Sequence, residues 1–205
     1  CRELTYKEDY LALELTLEKC SEVLGKLNST FSKNEFRKFI LWHKAIILHK
    51  KENEVMDALN TLNNLVTIKT CGSELDFSIL NSIGLIHLSN KNVNAVLKIY
   101  EVIYPKIKNQ KVRGDLTLLP RVGYNYADSL YKLKNYELAL MVIQEVFGYL
   151  QEHHLNYSLG EIYHMKGILL KKIGHLEEAE EAFKNAVLVF CLTKDKINLV
   201  RTELD

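Results

Sequence analysis

The sequence predicts an all-α protein built of helical hairpins, and three observations carry that expectation. Only two prolines and nine glycines occur in 205 residues, too few for the many tight turns of a strand-rich chain. Apolar residues recur at spacings of three and four, the stripe of an amphipathic helix. A pattern of small residues also returns along the chain, and internal repetition points to an array. With 47% apolar and 26% charged residues, the chain has enough material for a core without metal or disulfide staples.

In chain order, Leu13, Leu17, Cys20, Leu24 and Leu27 form the first stripe. Residues 1–30 therefore read as a capping or lead-in helix, either the lone second helix of a preceding repeat or one from a lost domain. A polar break from Asn28 to Asn34 follows. Hairpins are expected at 35–68, 75–108, 118–153 and 158–193, and a terminal helix carrying Ile197, Val200 and Leu204 at 195–205. The whole of 1–205 reads as a single domain. Lys69 to Glu74 separates the first hairpin from the second. Pro105 is expected to end the second hairpin's second helix. Pro120 is expected in the first turn of the next, where its missing N–H costs nothing. Both prolines thus fall at predicted helix edges.

The repeat is plainest from Gly167 to Ala186. A small residue comes first, Gly174 seven later, Ala179 twelve later, then Phe183 and Ala186 at helical spacing. The interhelical position recurs at Ala58, Val96, Ala139 and Ala179, at intervals of 38, 43 and 40 residues. Twelve residues earlier stand Ile46, Gly84, Ala127 and Gly167, and four later Leu62, Tyr100, Ile143 and Phe183. Gly167 and Ala179 would let two helices approach closely with Phe183 beside them, and Gly174 would supply the turn. This pattern resembles the tetratricopeptide repeat, whose usual length is about 34 residues. The resemblance implies a right-handed superhelix of about four hairpins with flanking capping helices, curved around a concave groove.

A closer resemblance covers most of the chain. The segments Arg121-Val122-Gly123-Tyr124-Asn125-Tyr126-Ala127-Asp128-Ser129-Leu130-Tyr131, Leu159 to Gly167 and Glu177 to Phe183 are similar to the sensor part of PlcR-type bacterial regulators. That resemblance implies a cytoplasmic domain that binds a short signalling peptide, a homodimer, and DNA contacted only through a helix-turn-helix. No helix-turn-helix pattern is legible ahead of Trp42, and the chain lacks a starting Met, so it reads as a fragment or trimmed product.

Other functions find little support. Twenty-seven Lys and Arg against 26 Asp and Glu leave no electrostatic footprint for nucleic acid in this chain. No apolar run of about eighteen residues and no signal peptide is present, so no membrane segment is expected. The scattered Cys1, Cys20, Cys71 and Cys191 read as buried small hydrophobes in a reducing compartment. Asn28-Ser29-Thr30 and Asn156-Tyr157-Ser158 read as chance glycosylation sequons. There is no G-x-S-x-G, H-E-x-x-H, G-x-G-x-x-G or complete P-loop, and the seven histidines form no i, i+4 pair. No enzyme, cofactor or metal is expected. A peptide-inhibited phosphatase-type regulator is the least favoured alternative, and a generic protein-docking scaffold the nearer one.

The repeat resemblance places the groove on four positions of each first helix. They are Ile40, His43, Ile47 and Lys50; Ser78, Asn81, Leu85 and Leu88; Arg121, Tyr124, Asp128 and Tyr131; and Glu161, His164, Ile168 and Lys171. The polar and aromatic members, with adjacent Asn125, are the candidate peptide contacts: His43, Lys50, Asn81, Arg121, Tyr124, Asn125, Asp128, Tyr131, His164 and Lys171. An Asn amide donates to and accepts from a peptide bond at once, and Arg121 can hold a carboxylate with two bonds. Each also has a plain structural reading. The cations can be solvated charges, the usual fate of an exposed Lys; Tyr124 and Tyr131 can pack between repeats, and Asp128 can partner Arg121 through intervening groups only. The Glu177 to Glu181 run reads as a solvated helix N-terminus.

Overall fold

The computed structural model describes residues 1–26, 29–110 and 114–204. Leu27 and Asn28, the Leu204 side chain and Asp205 lie outside the described residues. Eleven helices account for all regular structure among them: α1 (Arg2–Tyr6), α2 (Tyr10–Leu24), α3 (Thr30–Lys50), α4 (Val55–Leu65), α5 (Glu74–Ser89), α6 (Val93–Asn109), α7 (Leu118–Lys132), α8 (Tyr136–Glu152), α9 (Leu159–Ile173), α10 (Leu176–Thr193) and α11 (Lys196–Leu204). The all-α expectation holds; α3 packs on α4, α7 on α8 and α9 on α10, whereas α5 and α6, expected as the second hairpin, fall in different compact units.

Caps explain where the helices start. Ser29 accepts a hydrogen bond from the Ser32 amide at 3.3 Å, so α3 begins at Thr30 and most of the expected polar break is its first turns. Polar residues mark an exposed helix start as readily as a loop. At α5, Ser73 accepts from the Asp76 amide at 3.1 Å while Asp76 accepts from the Ser73 amide at 3.0 Å, a reciprocal capping box.

The turns repeat more faithfully than the side chains. Asn53, Lys91, Lys134 and Gly174 all have φ between 58° and 90°, and each precedes its hairpin's interhelical residue by five positions. Their spacing of 38, 43 and 40 residues is the spacing read from the small residues. Glu8 (φ 56°) makes the same kind of turn before Asp9 and α2. The lead-in helix is thus the second helix of a further hairpin, whose first helix is the short α1.

One proline departs from expectation. Pro120 lies in the first turn of α7, as predicted, but α6 runs through Pro105 to Asn109. A proline inside a helix costs roughly 3 kcal/mol. Ile103 and Ile107, both fully buried on either side of the exposed ring, each contribute about 1.5–3 kcal/mol by burial and hold the last turn in place.

The chain divides into two compact units, Cys1–Asn90 and Lys91–Asp205. In the first, α1 to α5 pack in chain order and α3 also meets α5. Leu13, Leu17, Ile40 and Ile47 form a core cluster flanked by Cys1 and Cys20. Trp42 Nε1–H donates to Ser82 Oγ at 2.9 Å, and the Lys38 ammonium pairs with Asp76. In the second unit α6 to α11 pack in order and α7 also meets α9. The Tyr104 hydroxyl donates to Glu145 at 2.9 Å, linking α6 to α8. Ala58, Val96, Ala139 and Ala179 are all buried, so the interhelical positions are what the repeat pattern required. The cysteines are mixed: Cys71 is buried, Cys1 and Cys20 are half-buried, and Cys191 is exposed rather than buried as expected.

Candidate functional site

The second unit carries the most concentrated polar and aromatic face. One side of α7 buries Leu118, Leu119, Val122, Tyr126, Ala127 and Leu130. Arg121, Tyr124, Asn125, Asp128 and Tyr131 remain half-exposed on the other. Their spacing of three, one, three and three residues makes a continuous stripe. The predicted third-copy residues therefore share one surface.

Each is held in a defined way. Arg121 Nη2–H donates to Asp115 at 2.9 Å, and Nη1–H reaches Thr117 Oγ1 at 3.4 Å. Asp115 also accepts from the Thr117 amide and hydroxyl, at 3.1 and 2.6 Å. Asp128 pairs with Lys132 at 2.6 Å. The alternative of an Arg121–Asp128 partnership through intervening groups gives way to two local pairs, since Asp115 holds Arg121 and Lys132 lies one turn from Asp128. Tyr131 packs on Tyr136 across the hairpin turn, with ring centroids 5.7 Å apart. The Asn125 carboxamide is hydrogen-bonded to the buried Tyr100 hydroxyl.

Neighbouring first helices complete the surface. Burial pushes the Tyr124 phenol up to about 12, the charges of Asp128 and Glu161 push the same way, and Arg201 opposes them. Glu161 of α9 and Arg201 of α11 thus stand close enough to Tyr124 to act on it. Arg201 was missed in the sequence, although Arg121, Glu161 and Arg201 recur every 40 residues. Carrying the groove register one copy further would have found it.

The other candidates are placed differently. His43, Asn81 and His164 are only 1%, 4% and 3% exposed. The His43 Nδ1–H donates to the Phe39 carbonyl at 3.0 Å, and His164 lies beside Phe183 with centroids 5.9 Å apart. Lys50 and Lys171 are exposed at the ends of α3 and α9. Ile40 and Ile47, on the nominal groove face of α3, belong to the core shared with α2. No described group of three or more His, Cys, Asp and Glu could hold a metal ion. No described helix is long and apolar enough to cross a membrane.

Stacked helical hairpins with a polar-aromatic stripe on the first helices define a tetratricopeptide-like recognition domain. The chain belongs to the RNPP family, matching its C-terminal domain over residues 10–200. Among solved structures it is similar to Bacillus thuringiensis PlcR in its apo form, with a TM-score of 0.76, 20% identity and coverage of 97% of this chain and 74% of that one. The same protein in complex with the peptide PapR7 and DNA aligns with a TM-score of 0.69 and 19% identity, covering 94% of this chain and 70% of that one. TPR-like repeats of a Podosopora anserina kinesin light chain align at 0.66 and 14% identity, covering 95% and 93%. No curated protein sequence matches the chain.

Proposed function

We propose that this chain is the peptide-binding regulatory domain of a PlcR-like transcription regulator, with DNA read by a helix-turn-helix outside it. The observation that carries this reading is the α7 stripe, where Arg121, Tyr124, Asn125, Asp128 and Tyr131 share one half-exposed face beside Glu161 and Arg201. Such a face offers amide, charge and flat aromatic area to a short extended peptide. The PlcR structure that contains PapR7 and DNA supports it.

The peptide acts by differential affinity for two arrangements of the regulator, which supplies the coupling energy. The ligand-facing set is Arg121, Tyr124, Asn125, Asp128 and Tyr131, with Lys171 as a peripheral cation of the same unit; Lys50 belongs to the first unit. The buried His43 and Asn81 serve the packing of the first unit, and His164 that of the second. Residues 1–205 work as one repeat domain, in the cytoplasm, without catalysing a reaction. Homodimerisation is supported by Leu188, Leu192, Ile197 and Val200 on α10 and α11, each more than half exposed, because clustered apolar surface marks an interface.

Calorimetry with short apolar-rich peptides from the parent gene's neighbourhood tests the reading. Saturable binding that weakens in Asn125→Ala and Arg121→Ala is the expected result. Absence of binding to any such peptide, with a folded chain, rejects the sensor reading in favour of a protein-docking scaffold.

A further inference from the structure

Tyr100 poses a question that packing alone does not answer. It stands on α6, four residues after Val96, where the other hairpins carry Leu62, Ile143 and Phe183. Those three side chains have no polar atom. Tyr100 is fully buried beside Tyr126, with ring centroids 6.1 Å apart, so a phenylalanine would serve the core. Burying a hydroxyl without a partner is costly, and here the partner lies on the ligand-facing stripe.

The Asn125 carboxamide and the Tyr100 phenol are hydrogen-bonded, and that bond opposes the upward push of burial on the phenol. The Asp128 carboxylate is near enough to act on the same phenol and on Tyr124. Asn125 also sits in the middle of α7, where Ser129 Oγ–H donates to its backbone carbonyl at 2.7 Å. One buried hydroxyl from α6 therefore stands directly beneath the exposed face of α7.

We propose that Tyr100 is a positioning residue for peptide recognition: its hydroxyl holds the Asn125 carboxamide in one orientation, so that Asn125 reads the main chain of an extended peptide laid along α7. The inference rests on the peptide-binding reading above. A carboxamide that is already oriented loses less freedom when it binds. Immobilising such a side chain costs about 0.5–1.5 kcal/mol, equivalent to about a two- to tenfold change in affinity. Because Asn125 addresses the backbone, this contribution is independent of peptide sequence.

The test uses the chain itself, with Tyr100→Phe, Asn125→Ala and the double variant. A random short-peptide library is selected on the wild-type chain, and the enriched pool is the probe. Tyr100→Phe is expected to weaken binding of the pool by about two- to tenfold, and Asn125→Ala by at least as much. The double variant is expected to be no weaker than Asn125→Ala, because the two act as one unit. The melting temperature of Tyr100→Phe is expected to stay close to wild type. The side-chain amide resonances of Asn125, assigned by their loss in Asn125→Ala, are expected to shift and sharpen in Tyr100→Phe without any peptide.

Unchanged affinity in Tyr100→Phe, additive losses in the double variant, or unchanged Asn125 amide resonances overturns the positioning role while leaving peptide binding intact. A library that yields no enrichment on the wild-type chain overturns the peptide-binding reading and this inference with it.

Discussion

Gly167 and Phe183 meet so closely that a methyl group on the glycine would stand 2.7 Å from two carbons of the phenyl ring. Helices α9 and α10 therefore touch backbone to ring where a side chain is missing. Gly123 and Gly160 make the same kind of contact, against Val146 and Phe190. The register of small residues is thus a register of close approaches.

Gly167→Ala should destabilise the chain even though alanine is the better helix former. Propensity favours alanine by about 1 kcal/mol, while overpacking a ring whose root atom lies 3.0 Å away costs about 1–3 kcal/mol. Gly148, also inside a helix, has nothing within 4 Å of an added methyl. Gly148→Ala should stabilise by about 0.5–1 kcal/mol. Thermal melts of the two variants should move in opposite directions, by roughly 2–4 °C per kcal/mol.

Turn geometry gives a second contrast. Lys134 holds the left-handed conformation that Gly174 holds one repeat later, at a cost of about 1–2 kcal/mol for a residue with a side chain. Part of the relief in Lys134→Gly is offset by greater freedom in the unfolded chain. A net gain of a few tenths to about 1 kcal/mol is expected, and Gly174→Ala should lose about 1 kcal/mol. Urea denaturation midpoints distinguish the two.

Asp76 should make the first unit sensitive to acid. Burial pushes its carboxyl up, but Lys38 and the Gly72 and Ser73 amides together outweigh burial, so it stays below its ordinary value. A lowered folded value contributes stability that is present above the ordinary carboxylate range near 3.9 and is lost as pH falls through the lower folded value. Asp76→Asn should therefore be less stable than wild type at neutral pH, by about 1–3 kcal/mol. That gap should narrow steadily in melts taken below about pH 4.

The phenols should show the opposite pH dependence. Burial raises Tyr100 and Tyr104 strongly and takes Tyr124 up to about 12. Of eleven tyrosines, these should stay protonated in the folded chain when solvent-accessible phenols ionise near pH 10. Raised folded values mean that stability falls as pH climbs above about 10, where only the unfolded chain ionises. Ultraviolet titration should show a delayed group of phenols that merges with the rest in denaturant.

Pro105 is exposed within α6 and forfeits a backbone hydrogen bond. Pro105→Ala should stabilise the chain by about 1–3 kcal/mol, and amide exchange in the last turns of α6 should slow. Faster exchange or a lower melting temperature would mean that the helix depends on the proline.

Much of the fold was legible because its signals are local. Ala58, Val96, Ala139 and Ala179 all proved buried near the starts of helices, and the positive-φ turns five residues earlier share their spacing. Pro105 misled because a breaker acts locally, whereas Ile103 and Ile107 hold the helix through packing that spacing does not display. The α7 stripe was also readable, since helical periodicity puts Arg121, Tyr124, Asn125, Asp128 and Tyr131 on one face. Arg201 escaped because α11 was read only as an apolar stripe.

The sequence by itself determined the class of fold, the spacing of the small interhelical residues and the turn at Gly174, because these follow from residue size, backbone freedom and a 3.6-residue period. Tertiary structure alone decided which polar residues stay at the surface. His43 and His164 hold groove positions by count, yet both lie in the packing between helices, whereas Tyr100 reaches Asn125 from another helix. Periodicity names the faces of a helix, but only the neighbour that packs against it, contributed from elsewhere in the chain, decides which face is covered.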